Sequence, residues 1–131
     1  MNEVKFDNLR MWTTFRNGVH TLEISIESGF AEFVIAIALS QGDFEVIERD
    51  KQRAVFLHAA LHDPFQLKET ALNQVEQRRY LDVILHGSMH DVERFLTEKD
   101  HGIANGSISN MVRITCGREP SLMRQGHWFA A

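Results

Sequence analysis

The sequence has one cysteine, two prolines and no apolar run long enough to cross a bilayer. A single cysteine, Cys116, cannot form a disulfide within the chain, which favours a reducing compartment. The longest apolar run, residues 33–39, is far shorter than the about 20 residues that a transmembrane helix requires. The first residues show no basic stretch followed by an apolar one, as a signal peptide would. We therefore expect a cytoplasmic protein that does not enter a membrane.

The chain also lacks the motifs that mark common enzyme classes. It contains no P-loop, no G-x-G-x-x-G, no G-x-S-x-G and no H-E-x-x-H sequence. With 44% hydrophobic and 24% charged residues, its composition is that of a folded globular protein. A length of 131 residues is expected to form a single domain, residues 1–131. The leading interpretation is a folded domain without catalytic function.

Basic residues are scarce in one part of the chain. The net charge is −4 overall, but residues 20–50 contain seven acidic residues and a single basic one, Arg49. Such a concentration of negative charge repels the phosphates of nucleic acids and attracts basic surfaces. We therefore expect a basic protein partner and no direct binding of nucleic acid. The alternative is that these acids only keep the surface soluble.

Three dipeptides divide the first fifty residues into segments in which apolar and polar residues alternate: Asn17-Gly18, Ser28-Gly29 and Gln41-Gly42. Two-residue hairpin turns favour such dipeptides because Asn and Gly tolerate positive φ. The pattern predicts a four-stranded antiparallel β-meander over about residues 9–48, with Phe15 opposite His20 and Ile24 opposite Phe33. One face of this sheet is apolar, which selects the register, because a shift of one residue would turn every side chain to the other face.

The segments after the meander are predicted to be mostly helical. Two or three helices over about residues 50–100, capped at Asp50, Asp63 and Ser88, are expected to cover the apolar face of the sheet. The predicted fold class is therefore α+β in two layers. For residues 30–40 a helix is the alternative to the third strand, because short apolar runs are ambiguous on periodicity alone.

The carboxyl-terminal part has weaker patterns. A further strand over residues 108–116 is compatible with the alternation of Val112, Ile114 and Cys116, and it would bury Cys116. Because that strand would bury Cys116, we expect the thiol to pack in the core rather than to act as a nucleophile. Residues 117–131 are expected to be irregular.

The outer face of the meander is the leading candidate for a binding surface. In the predicted register Trp12 lies opposite Glu23, and a tryptophan with an acidic rim is typical of the anchors of protein interfaces. The alternative is that a later helix or the segment with Trp128 and Phe129 covers this face. The predicted partner-binding residues are Trp12, Glu23, Glu27, Glu32 and Glu45.

Two similar segments, residues 57–63 and 85–91, each contain Leu-His-x-x-apolar-His-Asp. On a helix, histidines four residues apart lie on the same side and can share a metal ion such as Zn or Fe. The paired histidines are His58 with His62 and His86 with His90. Spacing alone is a weak motif, so the leading interpretation assigns no metal or other cofactor.

The sequence favours a small acidic binding protein, such as an inhibitor or immunity-like protein, that engages a basic partner through the outer sheet face. Self-association through the same face is the other predicted mode of binding. A metal-binding protein or metal-dependent enzyme using the paired histidines is the first alternative. A small-molecule sensor is the second, and an apolar cavity with a few convergent polar groups would favour it.

Overall fold

The computed structural model describes residues 2–6 and 9–129 and has an α+β fold. Four strands form an antiparallel sheet in the order of the chain: β1 Asn2–Lys5, β2 Met11–Arg16, β3 Val19–Ser28 and β4 Ala31–Leu39. The α-helices follow in one block: α1 Gln41–Arg49, α2 Lys51–His62, α3 Gln74–His86, α4 Met89–His101, α5 Ser107–Cys116 and α6 Pro120–Arg124. Within the described residues, no helix combines the length and the apolar character that crossing a bilayer would require.

The first hairpin has the predicted turn and register. Asn17 and Gly18 have φ values of 55° and 78°, the conformation that a two-residue turn requires at both central positions. Phe15 pairs with His20, as predicted. His20 is buried, stacks on the ring of Phe44 and donates to Gln41 through its Nε2 atom over 2.7 Å. This histidine therefore has a packing role.

The second hairpin is also present, but its predicted register is wrong by two residues. Ile24 pairs with Ile35 rather than with Phe33, and Ser28 pairs with Ala31. The turn is therefore Gly29-Phe30, and only its first central residue, Gly29, has a positive φ, of 61°. A shift of two residues keeps every side chain on its predicted face, so the apolar face is unchanged. The alternative of a helix over residues 30–40 is wrong, because this segment is β4.

The predicted four-stranded meander over residues 9–48 is not confirmed, because its last strand is the helix α1. Ser40 caps this helix: its side chain accepts from the Asp43 amide, and the Asp43 carboxylate accepts from the Ser40 amide. This reciprocal capping box turns Gln41-Gly42 into the first turn of a helix. Three of the predicted strands are found, and the remaining strand of the sheet, β1, pairs with β2 at the opposite edge.

The core lies between the inner face of the sheet and the helices. The central helix is α2, in which every residue from Ala54 to Leu61 is buried. Each large side chain buried in this way stabilises the fold by about 1.5–3 kcal/mol before ordering costs. The buried apolar residues that the sheet contributes to this core are Met11, Leu22, Ile24, Ile26, Ile37 and Leu39.

The predicted helices over residues 50–100 are found, with one boundary corrected. Asp50 caps α2 and Ser88 caps α4, as predicted. Asp63 does not start a long helix, because its side chain makes no capping hydrogen bond and only a 3-10 turn, Pro64–Gln66, follows it. Helix α3 begins later, after Asn73, which forms a capping box with Glu76.

The 3-10 turn covers an open edge of the sheet. Strand β3 has ten residues and β2 has six, so the end of β3 extends beyond its neighbour. The amide of Glu27 donates to His62 Nε2 over 3.3 Å, and its carbonyl accepts from the Gln66 side chain over 2.7 Å. Backbone groups that β2 does not reach are satisfied here by side chains.

Two predictions for the carboxyl-terminal part are wrong. Residues 108–116 lie in the helix α5, which starts after Gly106 at a φ of 87° and buries Ile108 and Val112, one turn apart. Cys116 is consequently exposed at the end of α5. The segment 117–131, predicted to be irregular, contains α6; residues 130 and 131 lie outside the described residues.

Candidate functional site

The pair Trp12–Glu23 marks the middle of the outer sheet face. Strand pairing places the two residues directly opposite each other, as predicted. The Trp12 indole donates through Nε1 to Glu23 Oε2 over 2.7 Å, and the ring is partly exposed. A hydrogen bond to a carboxylate is among the stronger ones in proteins and fixes the orientation of the indole. The anchor that the sequence predicted is therefore held in one position.

Arg10 connects Glu27 and Glu32, two more of the acids that were predicted for this face. Its guanidinium lies 2.6 Å from Glu27 Oε1 and 2.6 Å from Glu32 Oε1. All three side chains are about half exposed, so the two ion pairs contribute little to stability. Since one arginine faces two carboxylates, this part of the face keeps a net negative charge.

Small apolar residues on β4 lie beside these charged groups. Val34 is 50% exposed, and Ala36 and Ala38 are exposed as well. The alternative of a cover by the carboxyl-terminal segment is wrong, because Trp128 is fully buried against Phe56 of α2. We call this surface the outer sheet patch; it comprises Trp12, Glu23, Glu27, Glu32, Val34, Ala36 and Ala38.

Glu45 does not lie on the outer sheet face. The prediction placed it there as part of the fourth strand, but it is an exposed residue of helix α1, where it accepts from the Gln41 side chain over 3.1 Å. The acids of residues 20–50 are therefore divided between the sheet and α1. A role of Glu45 in partner binding stays a prediction, but the charge of Glu45 lies on helix α1 and not on the sheet.

The four histidines of the alternative metal site do not converge. His58 and His62 lie on one side of α2 with ring centroids 6.2 Å apart. His86 Nε2 is instead bound to Asp43 Oδ1 over 2.7 Å, and His90 is exposed in the first turn of α4. Across residues 2–6 and 9–129, no three His, Cys, Asp or Glu side chains are grouped so that they could hold a metal ion.

No protein-family model, curated protein or solved structure matches this chain. Its function therefore has to be inferred from the geometry of its own surfaces and cavities. A match of fold alone would not have supplied a function either, because function depends on the residues of a site.

The sequence did not predict a buried ion-pair cluster around Asp43. This fully buried carboxylate accepts two hydrogen bonds from Arg78, each of 2.7 Å, and one from His86. Burial by itself would raise the pKa of Asp43, but the hydrogen bonds from Arg78, Ser40 and His86 outweigh it and hold this pKa well below its usual range. The cluster joins α1 to α3, so its first role is structural.

A groove of about 560 Å³ separates β4 from α3 next to this cluster. Its sheet side is formed by residues 36–40, and its helix side includes Gln74, Gln77 and Arg78. Because β4 is an edge strand, the groove continues directly from the outer sheet patch. Together they form one open surface along the free edge of the sheet.

A second cavity, of about 250 Å³, lies where the end of β3 faces α2 and α5. It contains His58, which is 3% exposed. Burial, with a smaller contribution from the charge of His62, lowers the pKa of His58 to about 4. His58 is therefore neutral near pH 7.

This burial predicts that the protein loses stability in mild acid. Unfolded His58 titrates near 6.5 and folded His58 near 4, so the unfolded state binds more protons between these values and the free energy of unfolding falls as the pH is lowered. The expected loss is about 2 kcal/mol between pH 7 and pH 5, measured by urea unfolding.

The variant His58→Leu should lose most of this pH dependence, whereas His90→Gln, at an exposed site, should retain it. Arg10, Glu27 and His62 line the same cavity, and His62, whose pKa is also lowered by burial, accounts for the part that remains. An unchanged slope in His58→Leu would contradict the prediction.

Proposed function

We propose that the protein is a non-enzymatic binding protein that engages a basic protein partner through the outer sheet patch. The observation that carries the proposal is that this patch is open to solvent while its tryptophan is held in place by Glu23. An aromatic side chain with a fixed orientation loses little conformational freedom when a partner covers it. Inhibitor and immunity-like proteins are examples of this class of function.

The charges of the patch support a basic partner. Among the described side chains, Glu23 forms no salt bridge with a basic residue; it accepts a hydrogen bond from the neutral indole of Trp12. Arg10 compensates only part of the charge of Glu27 and Glu32. Exposed acids on α1, including Glu45, extend the negative surface beyond the end of β4. Such a field accelerates association with a positively charged protein and weakens as salt is raised.

Removal of the Trp12 side chain tests this proposal. Affinity purification with wild-type protein, followed by quantitative mass spectrometry, should recover a partner with a basic surface, and less of it as salt is raised. Since a central aromatic anchor contributes about 2 kcal/mol or more, Trp12→Ala should raise the Kd for that partner by about thirtyfold and lower its recovery accordingly.

The matched control is Leu122→Ala, which removes an exposed apolar side chain from α6. It should leave recovery of the partner unchanged. Circular dichroism must show that Trp12→Ala keeps the wild-type fold. If Trp12→Ala folds normally and retains every partner of the wild type, the proposed function is wrong.

Self-association is a second candidate, favoured by the free edge of β4. In the part of the chain that the structure describes, β4 pairs only with β3, so one row of its backbone groups has no strand beside it. An apolar edge strand of nine residues is a template for pairing with another copy. Sedimentation velocity of the wild type should then show dimers. Val34→Lys, on β4, should abolish the dimers, whereas Trp12→Ala, on β2, should leave them unchanged.

A further inference from the structure

The cavity of about 250 Å³ has properties that the outer sheet patch does not explain. One wall is β3, at Ser25, and the other consists of α2 and α5. Met111 and Ile114 of α5 supply apolar surface, and Arg10 lies at the side where β3 runs beyond β2. The volume is just below the about 300 Å³ at which typical ligand sites begin, so the cavity matches a molecule with a single ring.

Three polar atoms in this cavity are buried and lack hydrogen-bond partners among the described residues. They are the Ser25 hydroxyl and both ring nitrogens of His58. Ser25 is 4% exposed and His58 is 3% exposed, so neither side chain is open to bulk solvent. A buried polar group without a partner destabilises the fold, so such groups are rare and each one requires an explanation. Here they occur together in one cavity.

The cavity favours a neutral occupant. His58 is uncharged near pH 7, and a neutral imidazole offers one hydrogen-bond donor and one acceptor. The serine hydroxyl can also donate. The charge of Arg10 is already engaged by Glu27 and Glu32, and the His62 Nε2 atom is occupied by the Glu27 amide. No unpaired charge among the described lining residues is available to balance an ionised ligand.

We propose that this cavity is a binding site for a small cyclic amide, a neutral ring that carries an N–H donor next to a carbonyl acceptor. The ligand N–H donates to the unprotonated nitrogen of His58, and the ligand carbonyl accepts from the Ser25 hydroxyl. The ring contacts Met111 and Ile114. This site borders the outer sheet patch, with which it shares Glu27, and it makes the protein a candidate sensor of such molecules.

The probe for this proposal is 2-piperidone, a six-membered lactam. A ligand of this size that uses two hydrogen bonds and apolar contact is expected to bind with a Kd on the order of 1 mM. Titration followed by two-dimensional NMR should give saturable shifts of the amides of Ser25, His58 and Met111. N-methyl-2-piperidone lacks the N–H donor and should bind about tenfold more weakly.

Two variants separate ligand binding from a structural role. Ser25→Ala removes a hydroxyl that has no partner among the described residues, so it should keep or raise the thermal midpoint while it weakens 2-piperidone binding about tenfold. His58→Phe should abolish binding. The controls Ser121→Ala and His90→Phe change exposed residues outside the cavity and should bind like the wild type.

Absence of saturable shifts at the cavity residues overturns the proposal, as expected if the cavity holds only water. Equal affinity for 2-piperidone and its N-methyl analogue also overturns it, because the His58 acceptor would then have no role. Unchanged binding in Ser25→Ala, with a lowered thermal midpoint, would show that the hydroxyl is structural. None of these results depends on the Trp12 side chain.

Discussion

Trp128→Ala is expected to destabilise the protein by about 4 kcal/mol, because removing a fully buried aromatic side chain leaves a large cavity. For a domain of this length, the loss corresponds to a fall in the thermal midpoint of about 15 °C. The indole packs edge-to-face on Phe56 with a centroid distance of 6.1 Å, and its Nε1 donates to Thr97 over 2.9 Å. The side chain therefore connects the end of the chain to both α2 and α4.

The backbone beside Trp128 strengthens the same connection. The amides of Trp128 and Phe129 both donate to Glu93 of α4, over 2.7 Å and 3.1 Å. The Trp128 carbonyl accepts from Arg118. Trp128→Phe should cost less than Trp128→Ala, since it keeps the ring contact with Phe56 and loses the hydrogen bond to Thr97.

The control for this prediction is Phe30→Ala, an aromatic residue that is fully exposed in the turn between β3 and β4. Its removal should change stability by less than about 0.5 kcal/mol. Thermal unfolding followed by circular dichroism measures both variants. If Trp128→Ala were no less stable than Phe30→Ala, the carboxyl-terminal segment would not be part of the core.

The sheet shows which features of the fold depend on local sequence. The dipeptide Asn17-Gly18 is sufficient to predict the first hairpin, because few other residues accept the positive φ values that this two-residue turn requires at both central positions. At the second hairpin the alternation of side chains cannot distinguish registers that differ by two residues. The choice depends on the backbone of the turn, where Gly29 takes the first central position.

Helix α1 shows how two local patterns can compete. Gln41-Gly42 predicts a hairpin, and Ser40 with Asp43 predicts a capping box. The helix buries both Val46 and Ile47, whereas a strand would turn one of these neighbours toward solvent. Burial of both apolar side chains favours the helix, and attention to the capping pattern would have identified it.

A candidate site could be predicted from the sequence only where its residues lie on one pair of adjacent strands. Trp12 and Glu23 are neighbours across a hairpin, so the register brings them together. The cavity residues Ser25 and His58 lie on different layers, and whether they line one cavity depends on how α2 packs against the sheet. Arg78 reaches Asp43 across 35 residues, so no local pattern indicates that the pair exists.

Asp43→Ala is expected to destabilise the protein by about 3 kcal/mol. The carboxylate is fully buried, and its removal leaves Arg78 and His86 without their shared partner and Ser40 without half of its capping box. Breaking a buried ion pair by removing one partner costs about 3–5 kcal/mol. The lower end applies because the side chains of Arg78 and His86 are 40% and 39% exposed and can be hydrated in the variant.

The pH dependence of this loss has a definite sign. The pKa of Asp43 is lowered in the folded protein from an ordinary value of 3.8, so the stabilisation is complete above that pH and is lost as the pH falls toward the folded value. The difference between wild type and Asp43→Ala should therefore be constant from about pH 7 to pH 5 and should shrink below about pH 4. Urea unfolding at each pH measures it.

Asp82→Ala is the matched control, because Asp82 accepts from the same arginine over 2.9 Å but is 60% exposed. An exposed ion pair one helical turn apart contributes less than about 1 kcal/mol, so this variant should be nearly as stable as the wild type. The two aspartates share Arg78; Asp43 differs in its burial, in its contact to His86 and in its hydrogen bond from the Ser40 amide. Equal losses in the two variants would show that the buried carboxylate does not hold α1 to α3.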